Sequence, residues 1–251
     1  MKGINLIHIM IVKTWVRIGG RYGGWSLILM LLGGMAAGSG AAEENRGASV
    51  EQVLERYQAK VESRLRPRFR FAGAQWPPQA ITLLALKDSR RLELWALSGG
   101  NWRHIRDYRI KGMSGRLGPK LREGDQQVPE GRYKIENLNP NSAFHLSIKI
   151  DYPNSFDRAM AARDGRQNLG GDIFIHGNDV SRGCLAIGNN SVEELFVLTS
   201  LVGREQVDVL ISSRDFRLRP PGPSAYGLPG WVPQLNRDIA QEMEKFPLEK
   251  P

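Results

Sequence analysis

From position 49 onward the apolar residues recur with helical spacing. Val50, Val53, Leu54, Tyr57, Val61 and Leu65 fall on one face of a 3.6-residue repeat. Ser49 with Gln52 three residues later makes a capping box at the start of this predicted helix. Pro67 is expected to end it. After Pro77-Pro78 the pattern changes to short strand-like runs over 81–86, 91–97 and 102–110, separated by turn residues. That reads as an antiparallel meander. Residues 118–131 are polar and rich in Gly and Pro, hence a loop. Further strands are predicted over 132–136, 144–150, 172–176 and 207–211. Between the last two, Ser191 with Glu194 reads as a second capping box, and Leu195, Leu198 and Leu201 carry a short helix to Gly203. Five prolines between Pro220 and Pro233 suggest an extended linker. Leu235, Ile239, Met243 and Phe246 then suggest a terminal helix.

The expected organisation has four parts: an N-terminal address over 1–42, a helical segment over 43–77, a mostly β body over 78–213, and a Pro-rich linker with a terminal helix over 214–251. Many short strands with Gly/Pro turns favour a β-sandwich-like or barrel body. The address rests on three adjacent features. Residues 1–24 are basic, residues 25–35 form an apolar run of 11, and small residues over 36–42 precede Glu43. That order is the pattern of a secretory signal. The run falls short of the about 20 apolar residues that span a bilayer. A membrane anchor is the alternative if the segment is not cleaved. Either way the expected destination is the periplasm.

Composition narrows the picture. At 251 residues, 41% hydrophobic and 24% charged, the chain has enough apolar surface for a real core, which excludes a wholly disordered protein. The net charge is +9, and Lys2, Lys13, Arg17 and Arg21 of the address supply four of those charges. The remaining excess is mild, suited to an anionic polymer or a membrane surface. No run of five like charges and no nucleic-acid motif is present, so nucleic acid is not an expected partner.

There is one cysteine, Cys184, so no internal disulfide can form. His176 lies only eight positions before it. Alternation along 172–176 sets Ile173 and Ile175 on one face, and Phe174 and His176 on the other. The chain turns at Gly177 and returns through Gly183, which is short enough to bring His176 and Cys184 together. A neighbouring imidazolium can lower a thiol into the range of a standing thiolate. Such a thiolate attacks a carbonyl, and the histidine passes the proton to a leaving amine. Gly183 leaves room for substrate, and the N–H groups of Gly183 and Cys184 are candidate oxyanion donors. A metal site lacks a third ligand unless Asp172 or Asp179 serves, so no metal and no cofactor is expected. Asp172 shares a strand face with His176 and is a candidate to orient it. His145, on the polar face of its predicted strand, is a candidate to orient His176 or to contact substrate.

The pattern His176-Gly177-x-x-x-Ser181-x-Gly183-Cys184 resembles the signature of the L,D-transpeptidase catalytic domain (YkuD-type) family. Gly118-Pro119-Lys120, Glu123-Gly124-Asp125 and Val128-Pro129-Glu130-Gly131 look like the upstream loop of that family. Asn139-Pro140-Asn141-Ser142 and Tyr152-Pro153-Asn154 resemble its murein transpeptidase-like, short-loop branch. The resemblance spans about residues 80–212. It implies a mostly β, sandwich-like domain with the cysteine in a cleft, and peptidoglycan stem peptides as substrate. By position Cys184 is then the nucleophile and His176 the proton carrier, with Ser181, Arg182, Gly183, Gly177 and Asn178 around them. The thiol would expel a terminal D-alanine from diaminopimelate, and an amine would resolve the thioester. Water in its place would make the enzyme a hydrolase or amidase that releases a wall-linked lipoprotein.

Two departures stand out. Most members have a longer span between His and Cys, and an Arg two residues after the Cys where this chain has Ala186. Recognition of a substrate carboxylate then falls to Arg182 or Lys120. The missing Arg also leaves open a non-catalytic wall-binding module.

Overall fold

The computed structural model describes residues 47–223 and 227–248. The predicted address over 1–42 lies outside the described residues. The first element is helix α1 (Val50–Phe71), capped by the reciprocal Ser49–Gln52 bonds that the sequence predicts. Pro67 does not end it; the helix runs one turn further. The buried stripe explains this. Leu65 and Phe69 are both fully buried, and Phe69 meets Trp76 edge-on at 4.9 Å. Two such side chains are worth about 1.5–3 kcal/mol each, against about 3 kcal/mol for a proline inside a helix.

Eight strands follow: β1 (Ala80–Leu86), β2 (Arg91–Ser98), β3 (Asn101–Arg109), β4 (Gly131–Asn139), β5 (Ser147–Ile150), β6 (Phe174–His176), β7 (Leu185–Ala186) and β8 (Val207–Ser212). They form one sheet in the order β3-β2-β1-β8-β4-β5-β6-β7. The expected mostly β body with a few helices and an N-terminal helix is present, and its strands make a single curled sheet. The curl is at β4. Its first half, Gly131 to Lys134, pairs with β8, and its second half, from Ile135, pairs with β5 across a register shift.

Both faces of the central strands are covered, which is why β1 reads as a continuous apolar run. Ile81, Leu83 and Ala85 join a core with Val61, Leu65 and Phe69 of α1 and with Leu195 and Phe196 of helix α3 (Asn189–Val202). Leu84 and Leu86 face the other way, onto Leu235, Ile239 and Met243 of helix α4 (Val232–Met243). The segment read as a linker therefore leads into a helix docked on the sheet. Arg217 ties it down, bonding Asp215, Glu93 and the Phe246 carbonyl.

Three local readings need correction. The capping box at Ser191 and Glu194 does not form. α3 starts earlier, from Gly188, with no side-chain cap. Glu194 is instead buried, bonding Arg106 at 2.7 Å and Tyr108 at 3.0 Å. The strand expected from 144 begins only at Ser147, because His145 has a φ of +76° that breaks the alternation. Helix α2 (Ser155–Arg163) was not anticipated, although Asn154 and Asp157 form its capping box.

Candidate active site

The site lies at the far edge of the sheet, where β6 and β7 run parallel. Ile175 pairs with Leu185, and His176 pairs with Ala186. Strand β7 has only two residues, and both of its sides are held. On one side is β6; on the other, Lys111 and Gly112 bond to Ala186. A side chain at Gly112 would collide with the backbone of Asp179 and Ser181. Cys184 directly precedes β7 and falls opposite Phe174 by register. Alternation then turns Cys184 and His176 to the same side of the sheet, as diagonal neighbours across one strand gap.

The half-buried Cys184 thiol is free of any disulfide. Its Sγ accepts the Phe174 N–H at 3.4 Å, and the thiol donates to the Asp172 carbonyl at 3.6 Å. The His176 ring is buried and lies against the Phe144 ring at 4.6 Å between centroids. Its Nδ1 is 2.7 Å from the Gly177 carbonyl. A carbonyl only accepts, so Nδ1 carries the proton and Nε2 keeps its lone pair. Among the described residues no hydrogen bond joins the thiol to the imidazole.

Burial decides the charge state of both groups. It pushes the Cys184 thiol up, further raised by the Asp172 carboxylate and partly offset by the Phe174 N–H and by Lys120. Burial also pulls the His176 imidazole down, partly offset by the Gly177 carbonyl. The pair is therefore a neutral thiol beside a neutral imidazole at pH 7, not the standing thiolate and imidazolium that spacing suggested.

The loop between them is held by neutral groups. Ser181 Oγ accepts the Cys184 N–H at 3.0 Å and donates to the Cys184 carbonyl at 2.7 Å. The Gly183 N–H donates to Ser114 Oγ at 2.7 Å, which donates in turn to the Gln126 carbonyl. The expectation that the Gly183 and Cys184 N–H groups form a free oxyanion hole is not met, since serine hydroxyls occupy both. Gly183 has a φ of +85°, a conformation that favours glycine. Gly177 fits where a side chain would strike the Phe144 carbonyl and Asn189. Asn178 is exposed, and its N–H reaches Asn189 Oδ1 at 2.8 Å.

Three candidates are placed differently from the expectation. Lys120 is buried and committed to Asp125 at 2.6 Å and the Arg122 carbonyl at 2.8 Å, so it is not a free carboxylate receptor. His145 does not orient His176; its Nε2 pairs with Glu193 at 3.0 Å and its ring meets Tyr57. Asp172 does not orient it either. Its carboxylate pairs with Lys149 at 3.0 Å, while its carbonyl serves the thiol. Arg182 is exposed beside the cysteine. Sequence reasoning missed Ser114 and Asp125 as anchors and Phe144 as the partner of the His176 ring. For Ser114 no sequence signal exists, since the contact spans 69 residues. Among the described residues no three His, Cys, Asp or Glu side chains cluster to hold a metal ion.

The curled sheet thus sets one cysteine and one histidine on the same side of two adjacent strands. The L,D-transpeptidase catalytic domain (YkuD) model matches residues 82–209, and the chain belongs to that family. It is 36% identical over 141 residues to the Escherichia coli (strain K12) protein named "Putative L,D-transpeptidase YafK". That match covers 55% of this chain and 55% of YafK, so the chain spans about half the length of the curated relatives it matches. Among solved structures it is similar to the helical cell shape determining protein Pgp2 of Campylobacter jejuni, with 25% identity and a TM-score of 0.45 over 54% of this chain and 48% of Pgp2. Bdellovibrio bacteriovorus Bd1075 is similar at 19% identity and a TM-score of 0.40, over 68% of this chain and 57% of that one.

Proposed function

We propose that this chain is a periplasmic L,D-transpeptidase, with Cys184 the nucleophile and His176 its proton carrier. The observation that carries the reading is the His176 tautomer. With Nδ1–H committed to the Gly177 carbonyl, Nε2 is the ring atom left with a lone pair to take a proton. The neutral pair acts in concert. Sγ attacks the diaminopimelate carbonyl of a stem peptide while Nε2 takes the thiol proton. The C–N bond to the terminal D-alanine breaks, and the imidazolium returns the proton to the leaving amine. The resulting thioester is attacked by an acceptor amine, whose proton passes to Nε2, and the thiol is regenerated. Burial keeps the sulfur unionised until a carbonyl arrives, which protects it from other electrophiles.

The test uses residues 43–251 and the same protein with Cys184→Ala, each incubated with purified tetrapeptide muropeptides and with lipoprotein-linked muropeptides. Products are followed by mass spectrometry. Cross-linked dimers or D-amino-acid exchange, with a thioester on Cys184 and nothing from the variant, is the expected result. Free lipoprotein peptide without dimers makes the acceptor water and the enzyme a hydrolase on the same thioester. No Cys184-dependent product from either substrate overturns the enzyme reading in favour of a non-catalytic wall-binding module.

A further inference from the structure

Phe144 and His176 differ sharply in exposure although their rings touch. Phe144 is 41% exposed and His176 only 2%, with the ring centroids 4.6 Å apart. Phe144 therefore stands between the imidazole and water. It lies outside the sheet, three residues before β5, in a turn closed by the Leu146 N–H donating to the Phe144 carbonyl at 3.1 Å. His145 is the centre of that turn, with a φ of +76°. A three-residue turn of that sign is rare and strained. A residue other than glycine keeps such a conformation only where its surroundings over-determine it.

The surroundings of His145 come from two helices. Its Nε2–H donates to Glu193 of α3 at 3.0 Å, since a carboxylate only accepts. The second Glu193 oxygen takes Lys60 Nζ of α1, also at 3.0 Å. The His145 ring meets the Tyr57 ring of α1 edge-on at 5.8 Å. Glu193 is buried, so its bond to His145 is made largely out of water, where such bonds are strongest. Gly177, with no side chain, leaves the space in which the Phe144 carbonyl sits. A run of contacts thus leads from α1 through Glu193, His145 and Phe144 to the His176 ring.

We infer that His145 is a positioning residue: braced by Glu193 and Tyr57, it holds the turn that lays Phe144 over His176 and keeps the imidazole dry. It does not aim the ring, which the Gly177 carbonyl does; it sets how much water the ring meets. The catalytic consequence rests on the proposed acyl-transfer reading, in which Nε2 must be neutral to take the thiol proton. Burial is what lowers the His176 imidazole, with the Gly177 carbonyl opposing it. Among the described residues, the charged and titratable groups on the surrounding elements are engaged elsewhere. Cys184 shares no hydrogen bond with the ring, Asp172 and Lys149 pair with each other, and Glu193 is taken by His145 and Lys60. Removing the cover therefore raises the titration midpoint of His176 towards the ordinary imidazole range.

The test follows the carbon NMR signal of the His176 imidazole against pH on the Cys184→Ala protein, assigned by its loss on His176→Gln. Adding Phe144→Ala should raise the midpoint by about one unit, a tenfold change in protonation. Phe144→Tyr, which keeps the ring, should leave it in place. His145→Asn tolerates the positive φ but is too short to reach Glu193, and should raise the midpoint by part of that amount. His145→Gln, long enough to donate to Glu193, should return it towards the unsubstituted value. Should His145→Asn unfold, Tyr57→Leu keeps apolar bulk on α1, loosens only the ring contact and should shift the midpoint the same way. No rise on Phe144→Ala overturns the cover. A rise there with none on His145→Asn or Tyr57→Leu overturns the brace, and an equal rise in every variant overturns both. With Cys184 present, the acid limb of thioester formation from a tetrapeptide muropeptide should move up with each midpoint, the lost rate returning at higher pH. A limb that stays put while the midpoints move overturns the catalytic role. Failure of the parent reading looks different: the midpoints move as stated, yet the unsubstituted protein forms no thioester.

Discussion

The two segments that flank the thiol are held by opposite means. Residues 112–131 are pinned by buried charge. Lys87, with no exposed surface, bonds the carbonyls of Gly118 and Val128 and the Glu130 carboxylate at 2.9 Å. Asp125 gathers Lys120 and the N–H groups of Leu121, Arg122 and Gln127. Residues 177–184 have no ion pair among the described residues; serine hydroxyls and the Asn189 amide hold them. The difference shows how the fold keeps a neutral thiol and a neutral imidazole. Full charges stiffen the supporting loop where they are compensated, and the segment that joins His176 to Cys184 is tethered by dipoles alone.

Removing one charge of the buried pair should break the contrast most severely. Glu130→Ala strands Lys87 and orphans the Gly118 N–H. It should cost about 3–5 kcal/mol in denaturant unfolding. A paired Lys87→Met, Glu130→Leu protein should recover part of that loss, because no charge is then left unpaired although the Gly118 N–H stays without its acceptor. Equal instability in the double variant would mean that packing, not charge, holds the loop.

Asp157 sharpens the comparison as a buried carboxylate without a cation bonded to it. Burial raises its carboxyl from 3.8 to about 6, partly offset by its bonds to Asn154 and Tyr133. A raised value means that its contribution to stability is complete below about 3.8 and is lost as pH rises through about 6. The unsubstituted protein should therefore lose roughly 1–3 kcal/mol relative to Asp157→Asn between pH 4 and pH 8. Parallel stability curves would remove Asp157 as the cause.

Smaller effects belong to the neutral tether. Ser181→Ala frees both the N–H and the carbonyl of Cys184, and should cost about 1–2 kcal/mol and slow thioester formation. The smallest expected change is at Lys120, whose charge helps hold the thiol down. Lys120→Met should move the pH midpoint of Cys184 alkylation upward by under about one unit. In the unsubstituted protein that midpoint should lie above the free-thiol range. A midpoint below pH 7 would restore the thiolate–imidazolium pair.

Much of this was legible along the chain, and the misses share a cause. The Ser49–Gln52 cap, the run in β1 and the His176–Cys184 return are all local patterns, with partners a few residues apart. His145 was misread because Glu193, 48 residues away, captures its ring and the backbone turns left-handed there. Glu194 looked like a cap, yet Arg106 and Tyr108 on β3 claim it. Pro67 looked like a terminus, yet the burial of Phe69 carries the helix past it.

The order of residues alone singled out the candidate groups: one thiol, one imidazole on an alternating strand, and a glycine where only glycine fits. Tertiary structure decided their state. It chose the His176 tautomer through the Gly177 carbonyl, closed the Gly183 and Cys184 N–H groups with hydroxyls, and tied Lys120 to Asp125. Charge state and hydrogen-bond supply depend on what the fold brings within about 3 Å and how far it excludes water. A sequence lists donors and acceptors without saying which of them will meet.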